Sequence, residues 1–383
     1  MLNITKTNES MAEKFIPVNE PVLTGNEKKY LDQCIETGWI SSEGNFVKQF
    51  EEKFAKRVNR NYAISVTNGS AALDAAVAAI GIKKGDEVIM PAFTIISCGA
   101  AIFRAGATPV LVDCNPYDYN MKVNEIESKV TSKTRAIMAV HIYGLPVDMD
   151  PLLELAQKYN LKVIEDAAEM YGQEYRGKPC GSFGDVSTFS FYPNKLITTG
   201  EGGMIVTDNE EIAQNCRNLR NLYFDKDRRY IHTDLGWNLR MSNIQAALGL
   251  AQLEQLDKFI LKKRWMGKLY TELLRDVKNI QLPIEKKDYA ENIYWVYPIV
   301  LKKEMKMDAV EAMQILKISG IGTRHFFWPM HKQPVFLKAG LFKNENYPES
   351  EILADKGFYI PSGLALEEEQ IIRTAKVIKE KIK

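Results

Sequence analysis

Several kinds of chemistry are missing from this chain. No C-x-x-C occurs, and the five cysteines (Cys34, Cys98, Cys114, Cys180 and Cys216) are odd in number and widely spaced. That pattern argues against a disulfide framework and against a thiolate zinc site. The four histidines (His141, His232, His325 and His331) are scattered, with no H-E-x-x-H among them. No metal site is therefore expected. There is no apolar run of about 18 residues, the length a membrane-spanning helix needs. The opening stretch MLNITKTNESMAEKF lacks the apolar centre of a signal peptide. The expectation is a cytoplasmic protein with no membrane partner. An excess of one charge is also missing: 50 basic residues face 49 acidic ones. Nothing in that balance calls for nucleic acid. Neither G-x-G-x-x-G nor the P-loop pattern is present, which removes two common nucleotide-binding loops.

What the chain does contain is an alternation of elements. Its 383 residues exceed one simple core and fit two domains. Helix patterns at 27–37 and 45–58 are followed by seven strand candidates: Tyr62–Thr67, Glu87–Met90, Thr108–Asp113, Ala136–Ile142, Lys162–Glu165, Val186–Phe191 and Gly203–Thr207. Several are continuous apolar runs, as in strands covered on both faces. Intervening helices predict right-handed crossovers and a mostly parallel sheet. A long Ala/Leu/Gln-rich helix is expected from Asn243 to beyond Leu269, linking to a smaller α+β unit. The predicted division is an extension at 1–15, a large domain at 16–250 and a C-terminal domain at 251–383.

In such sheets ligands bind beyond the carboxyl ends of the strands, and three candidates fall there. Asn68-Gly69-Ser70 opens an alanine-rich helix. Glycine lets another backbone approach, Ser70 can cap the helix, and exposed amides suit a phosphate. A plain capped helix would look the same. Asp166 ends an apolar strand, where it could hold a ring nitrogen protonated; capping Ala167-Ala168 or binding a metal are the alternatives. Lys195 lies in Phe-Tyr-Pro-Asn-Lys-Leu-Ile-Thr-Thr-Gly-Glu-Gly-Gly, an apolar and glycine-rich setting without neighbouring basic residues. An isolated lysine in a loop is usually just solubilising, and what lifts this one above that reading is its setting. An amine for a cofactor aldehyde and a general base would need one. Ser190, five residues earlier, could donate to the phosphate. Trp39, Tyr192, Tyr230, Phe327 and Trp328 offer flat surfaces for a sugar or base, and Arg229, Arg240 and Arg324 offer forks for a diphosphate or carboxylate. Most aromatics, taken singly, belong to a core.

Eight segments carry a resemblance: GWISSEG (38–44), TNGSAAL (67–73), GDEVIMPAFT (85–94), HIYG (141–144), VIEDAAE (163–169), FGDVSTFSFYPNKLITTGEGG (183–203), WNLRMSN (237–243) and IPSGLALEEEQ (360–370). Together they resemble the DegT/DnrJ/EryC1/StrS sugar aminotransferases over roughly residues 16 to 381. The resemblance implies an α/β, fold type I, aspartate-aminotransferase-like architecture, with a mostly parallel seven-stranded sheet and a smaller α+β C-terminal domain. It implies pyridoxal 5'-phosphate as cofactor, joined to Lys195, with Asp166 on the ring nitrogen and Gly69, Ser70 and Ser190 on the phosphate. Glu169 would lie near the cofactor's 3-hydroxyl or the sugar. Ile95 stands where many relatives place an aromatic on the ring. Asn238 would reach the phosphate of a neighbouring subunit, making a homodimer with shared sites. Trp39, Ser41, Tyr192, Arg229, Arg240, Arg324, Trp328 and His331 would bind substrate. The implied reaction is amination at C4 of GDP-4-keto-6-deoxy-D-mannose, with L-glutamate as donor. A dTDP- or UDP-linked 4-keto-6-deoxyglucose is the alternative acceptor.

Overall fold

The computed structural model describes residues 15–228 and 230–382. The expected extension, apart from its last residue, and the substrate candidate Arg229 lie outside the described residues. Seven strands form the main sheet: β1 (Tyr62–Val66), β2 (Glu87–Pro91), β3 (Thr108–Val112), β4 (Thr134–Val140), β5 (Lys162–Asp166), β6 (Val186–Ser190) and β7 (Gly203–Thr207). Their order across the sheet is β1-β7-β6-β5-β4-β2-β3. All the pairings are parallel except those of β7, which runs against β1 and β6. The expected mostly parallel sheet is therefore present. Its six co-directional strands all end on the same side.

Side chains alternate across each strand, and both faces are covered. On one face Ile64, Val66, Met90, Met138, Ile164 and Ile205 pack against the helix Gly69–Ala79 and its neighbours. Six alanines in that helix keep side chains short, so it can lie close to the sheet. On the other face Ala63, Ile89, Ile137, Val163, Phe189 and Met204 meet Phe50 and Phe54 of the helix Asn45–Arg57. Phe54 contacts Phe189 and Phe191 edge-on, with centroids at 4.8 and 5.5 Å. Each such pair adds about 1 kcal/mol beyond its buried area.

A second sheet follows: β8 (Ile280–Gln281), β9 (Tyr297–Leu301), β10 (Arg324–His325) and β11 (Gly357–Ile360), antiparallel in the order β8-β9-β11-β10. Its core joins Tyr270, Ile299, Leu316, Phe358 and Ile371. Ile16, expected at the start of the large domain, pairs with Ile321 instead, and Gly322 N–H donates to its carbonyl at 2.8 Å. The long linking helix is interrupted. It is two helices, Asn243–Leu253 and Leu256–Leu274. At the break the Glu254 carboxylate accepts from Asn26, Tyr30 and Lys53 at 2.8, 2.9 and 3.3 Å, tying the turn to the N-terminal helices. The helix Pro348–Lys356 and strand β11 after it were not expected from the sequence. Among the described residues no helix is long and apolar enough to cross a membrane.

Candidate active site

The ends of β1, β2, β5 and β6 open into a cleft of about 620 Å³. One end of it is a helix N-terminus. Asn68, not Ser70, caps the helix, its side chain accepting from Ala71 N–H at 2.8 Å. Ser70 is thereby free to face the cleft, where its hydroxyl meets that of Ser97 at 2.8 Å. Gly69 is required here: a Cβ on it would lie 2.6 Å from Cβ of Ser190. Gly203 is required just behind, where a Cβ would lie 2.4 Å from the Asn68 carbonyl oxygen. Ser190, at the end of β6, is gripped by Tyr171, whose hydroxyl accepts from the Ser190 N–H at 3.0 Å and donates to its carbonyl. Free amides and three serine hydroxyls thus surround a space shaped for a phosphate.

Asp166 forms the floor. Its Oδ1 accepts the Ala168 N–H at 3.1 Å and its Oδ2 the Cys98 thiol at 3.3 Å. Burial pushes its pKa up, while the Ala168 amide, Cys98 and the Lys195 charge pull it back. The neighbouring Glu165 points to the opposite face, as strand alternation requires. There it accepts four hydrogen bonds, from His141 Nε2, the Gly181 and Phe183 amides and the Ser187 hydroxyl. His141, Glu165 and Cys180 bring three potential metal-ligating atoms within 4.8 Å. Two of these residues are already committed: His141 Nδ1 accepts the Val147 N–H at 3.0 Å, which places the proton on Nε2, and both Glu165 oxygens are occupied.

Lys195 reaches the cleft from a loop whose carbonyls are held by side chains. Asn19 donates to the Pro193 carbonyl at 3.0 Å and the Trp295 indole N–H to the Asn194 carbonyl at 2.9 Å. Lys195 Nζ lies 3.8 Å from Glu169 Oε1 and 4.0 Å from the centroid of the Trp295 ring. Burial lowers the Lys195 pKa and raises that of Glu169, and the attraction between the two opposes both shifts. Glu169 Oε2 accepts the Tyr143 N–H at 2.7 Å. Tyr143 adopts φ +57°, a strained conformation for a non-glycine residue and a mark of a constrained site.

The cleft therefore brings together Gly69, Ser70, Ile95, Asp166, Glu169, Ser190, Tyr192, Lys195 and Arg324. Ile95 is partly exposed in its wall. Other candidates lie elsewhere. Ser41 and Arg240 line a separate depression, where Arg240 donates to Asn221 Oδ1 at 2.7 Å. Asn238 bridges to Asn221, and Trp39 is exposed near the helix Asn45–Arg57. Trp328 is exposed and donates to the Lys332 carbonyl. His331 is buried away from the cleft against Tyr347, and pairs with Glu351 at 2.8 Å. Sequence reasoning missed Cys98, Tyr171, Trp295 and Tyr359. Cys98, three residues after Ile95 and so one turn along the same helix, had a local signal. Trp295 and Tyr359, on the second unit, had none.

A phosphate cradle, a floor carboxylate and a buried lysine, all beyond the ends of one mostly parallel sheet, suit pyridoxal phosphate. The fit rests on the Gly69 and Ser70 amides at the helix N-terminus, on the Ser70 hydroxyl beside them and on an Nζ whose partner Glu169 stands 3.8 Å away. The architecture is that of a fold type I, pyridoxal-phosphate-dependent aminotransferase. DesV from S. venezuelae superposes with a TM-score of 0.89 at 30% identity, covering 96% of this chain and 98% of DesV. The chain belongs to the DegT/DnrJ/EryC1/StrS aminotransferase family, whose model matches residues 21–379. It is 43% identical to the GDP-perosamine synthase of Escherichia coli O157:H7, covering 96% of this chain and 98% of that protein. It is 40% identical to the GDP-perosamine synthase of Caulobacter vibrioides, covering 94% and 96%.

Proposed function

We propose that this enzyme transfers the amino group of L-glutamate to C4 of GDP-4-keto-6-deoxy-D-mannose, giving GDP-perosamine and 2-oxoglutarate. The reaction type rests on Lys195 and Asp166 meeting in one cleft with the Gly69–Ser70 cradle. The choice of acceptor rests on the likeness to two perosamine synthases over nearly their whole lengths.

Pyridoxal phosphate, when bound, supplies an aldehyde that carries the amino group and a ring that accepts the electron pair left at carbon. The chain supplies the rest. The Gly69 and Ser70 amides and the Ser70 and Ser190 hydroxyls bind the phosphate. Asp166 keeps the ring nitrogen protonated, in a buried setting where its charge acts strongly. Lys195 Nζ takes the proton from Cα of glutamate and later delivers one to C4 of the sugar. Burial lowers the Lys195 pKa, so a larger fraction of the amine is free to act as a base. Glu169, beside it, compensates its charge. Arg324, in the cleft wall, pairs with the donor carboxylate or the diphosphate. Trp39, Ser41, Asn238 and Arg240 lie outside this cleft, which suits a homodimer in which each copy completes the other's site. Sedimentation of the purified protein as a monomer would remove that part.

The test is incubation with glutamate and, in turn, GDP-, dTDP- and UDP-linked 4-keto-6-deoxy sugars, with products read by mass spectrometry. A 4-amino product from the GDP-mannose derivative alone supports the proposal. Amination of only the dTDP- or UDP-glucose derivatives moves the enzyme to a different acceptor.

A further inference from the structure

Trp295 comes from the second unit, just ahead of β9, and is buried in the cleft wall. It touches the lysine loop at two points. Its indole N–H donates to the Asn194 carbonyl at 2.9 Å, and its ring faces Lys195 Nζ at 4.0 Å. It is itself fixed from behind. Its carbonyl accepts from the buried Lys263 Nζ at 2.7 Å, and Tyr143 stacks on it at 6.1 Å and 28°. We infer that Trp295 is a positioning residue for Lys195: the indole N–H anchors the loop, and the ring face confines the amine during the part of the cycle in which it is not joined to the cofactor.

The physical reasons are two. A lysine side chain has many rotamers, and a flat wall on one side with Glu169 on the other leaves few of them. The ring quadrupole also favours the ammonium over the neutral amine. Trp295 therefore opposes the burial that lowers the Lys195 pKa. Glu169, Asp166 and Cys98 act most strongly on the amine, and His141, Arg324 and Tyr359 share the cleft with it. The hydrogen bonds that hold Asp166 and Glu169 run to Ala168, Cys98 and the Tyr143 backbone, not to the Trp295 side chain.

The inference rests on Lys195 being the residue that joins the cofactor, and the experiment separates the two. Apoprotein is mixed with pyridoxal 5'-phosphate, and the rate at which the visible absorbance of the lysine-bound cofactor appears is followed against pH. The neutral amine reacts, so the rate rises through the amine's titration to a plateau. Trp295→Leu is expected to lower the midpoint by about half to one and a half pH units and to lower the plateau roughly tenfold. Trp295→Phe keeps a ring and loses the N–H. It should lower the plateau with a smaller shift of the midpoint, and it serves as the test if the leucine variant does not fold. Non-covalent cofactor affinity is then measured in a Lys195→Ala background, where adding Trp295→Leu should leave it within about twofold. An unchanged midpoint and plateau overturns the inference. So does an equal loss of affinity with and without Lys195, which would make Trp295 a wall of the pocket only. If Lys195→Ala itself still develops the absorbance, the assignment of Lys195 fails instead.

Discussion

Replacing Glu165 with glutamine isolates the device that holds Asp166 at the end of β5. The carboxylate is fully buried, and its oxygens accept four donors: His141 Nε2 at 2.9 Å and Gly181 N–H at 2.6 Å on Oε1, and Phe183 N–H and Ser187 Oγ, both at 2.9 Å, on Oε2. Glutamine turns one oxygen into a donor: on the Oε1 side it would face two donors, and on the Oε2 side it would face the Phe183 N–H and a Ser187 hydroxyl that can turn to accept from it, donating instead to the Phe183 carbonyl at 3.1 Å. On the Oε1 side His141 cannot compensate by moving its proton, because its Nδ1 already accepts from Val147. The amide therefore settles on the Oε2 side, where the Phe183 N–H loses its bond to a charge, worth about 1.5–3 kcal/mol, and the bonds that remain weaken as the charge goes, so the net loss expected is about 2–4 kcal/mol. For a unit of this size that lowers the thermal midpoint of the apoprotein by roughly 10 °C. Differential scanning fluorimetry reads it, with Glu154→Gln on the exposed side of the helix Met149–Lys158 as a control expected within about 0.5 kcal/mol. Cofactor affinity should fall as well, since Asp166 is the next residue. A midpoint within about 2 °C of wild type would refute this account of the network.

Four further outcomes are expected. Gly69→Ala places a methyl 2.6 Å from Cβ of Ser190 and should weaken cofactor affinity at least tenfold while preserving the fold, as read by absorbance titration; unaltered affinity would contradict the cradle. Lys195→Ala should abolish the absorbance of the lysine-bound cofactor and turnover, and Asp166→Ala should leave the cofactor weakly held and the enzyme inactive; near-normal turnover in either variant removes that residue from its role. Burial lowers the Lys263 pKa to about 7, while the unfolded chain keeps that lysine protonated to about pH 10.4. Between these values the unfolded state binds more protons, so stability rises with pH. Wild type should therefore gain about 2 kcal/mol relative to Lys263→Met between pH 7 and pH 9, measured as the difference in thermal midpoints, and a constant difference would show that Lys263 does not titrate there.

Much of the site was legible because it is nearly continuous in the chain. Asp166, Glu169, Ser190 and Lys195 fall within thirty residues, and each sits at or just past a strand whose apolar run marks its end. Gly69 and Ser70 are announced by the turn into the alanine-rich helix, though the sequence did not say that Asn68 would be the cap. The substrate candidates were harder. His331 and Trp328 sit among aromatic and basic residues that invite a binding role, yet His331 is buried against Tyr347 with Glu351 as partner. A histidine's neighbours in sequence do not fix the direction of its ring. The break at Glu254 was also hidden, since the apolar pattern runs through it and the groups that tie it, Asn26, Tyr30 and Lys53, are about 200 residues away in the chain.

The sequence by itself determined the mostly parallel sheet, the side of it on which ligands gather, and the lysine and carboxylate placed there. Each of these follows from local periodicity and from residues that end an element. Only the tertiary structure decided that Trp295, Arg324 and Tyr359 of the second unit close the cleft, and that Trp39, Ser41, Asn238 and Arg240 stand apart from it. The wall of a cleft between two packed units is set by which surfaces dock, and docking joins residues through space with no period along the chain to record it.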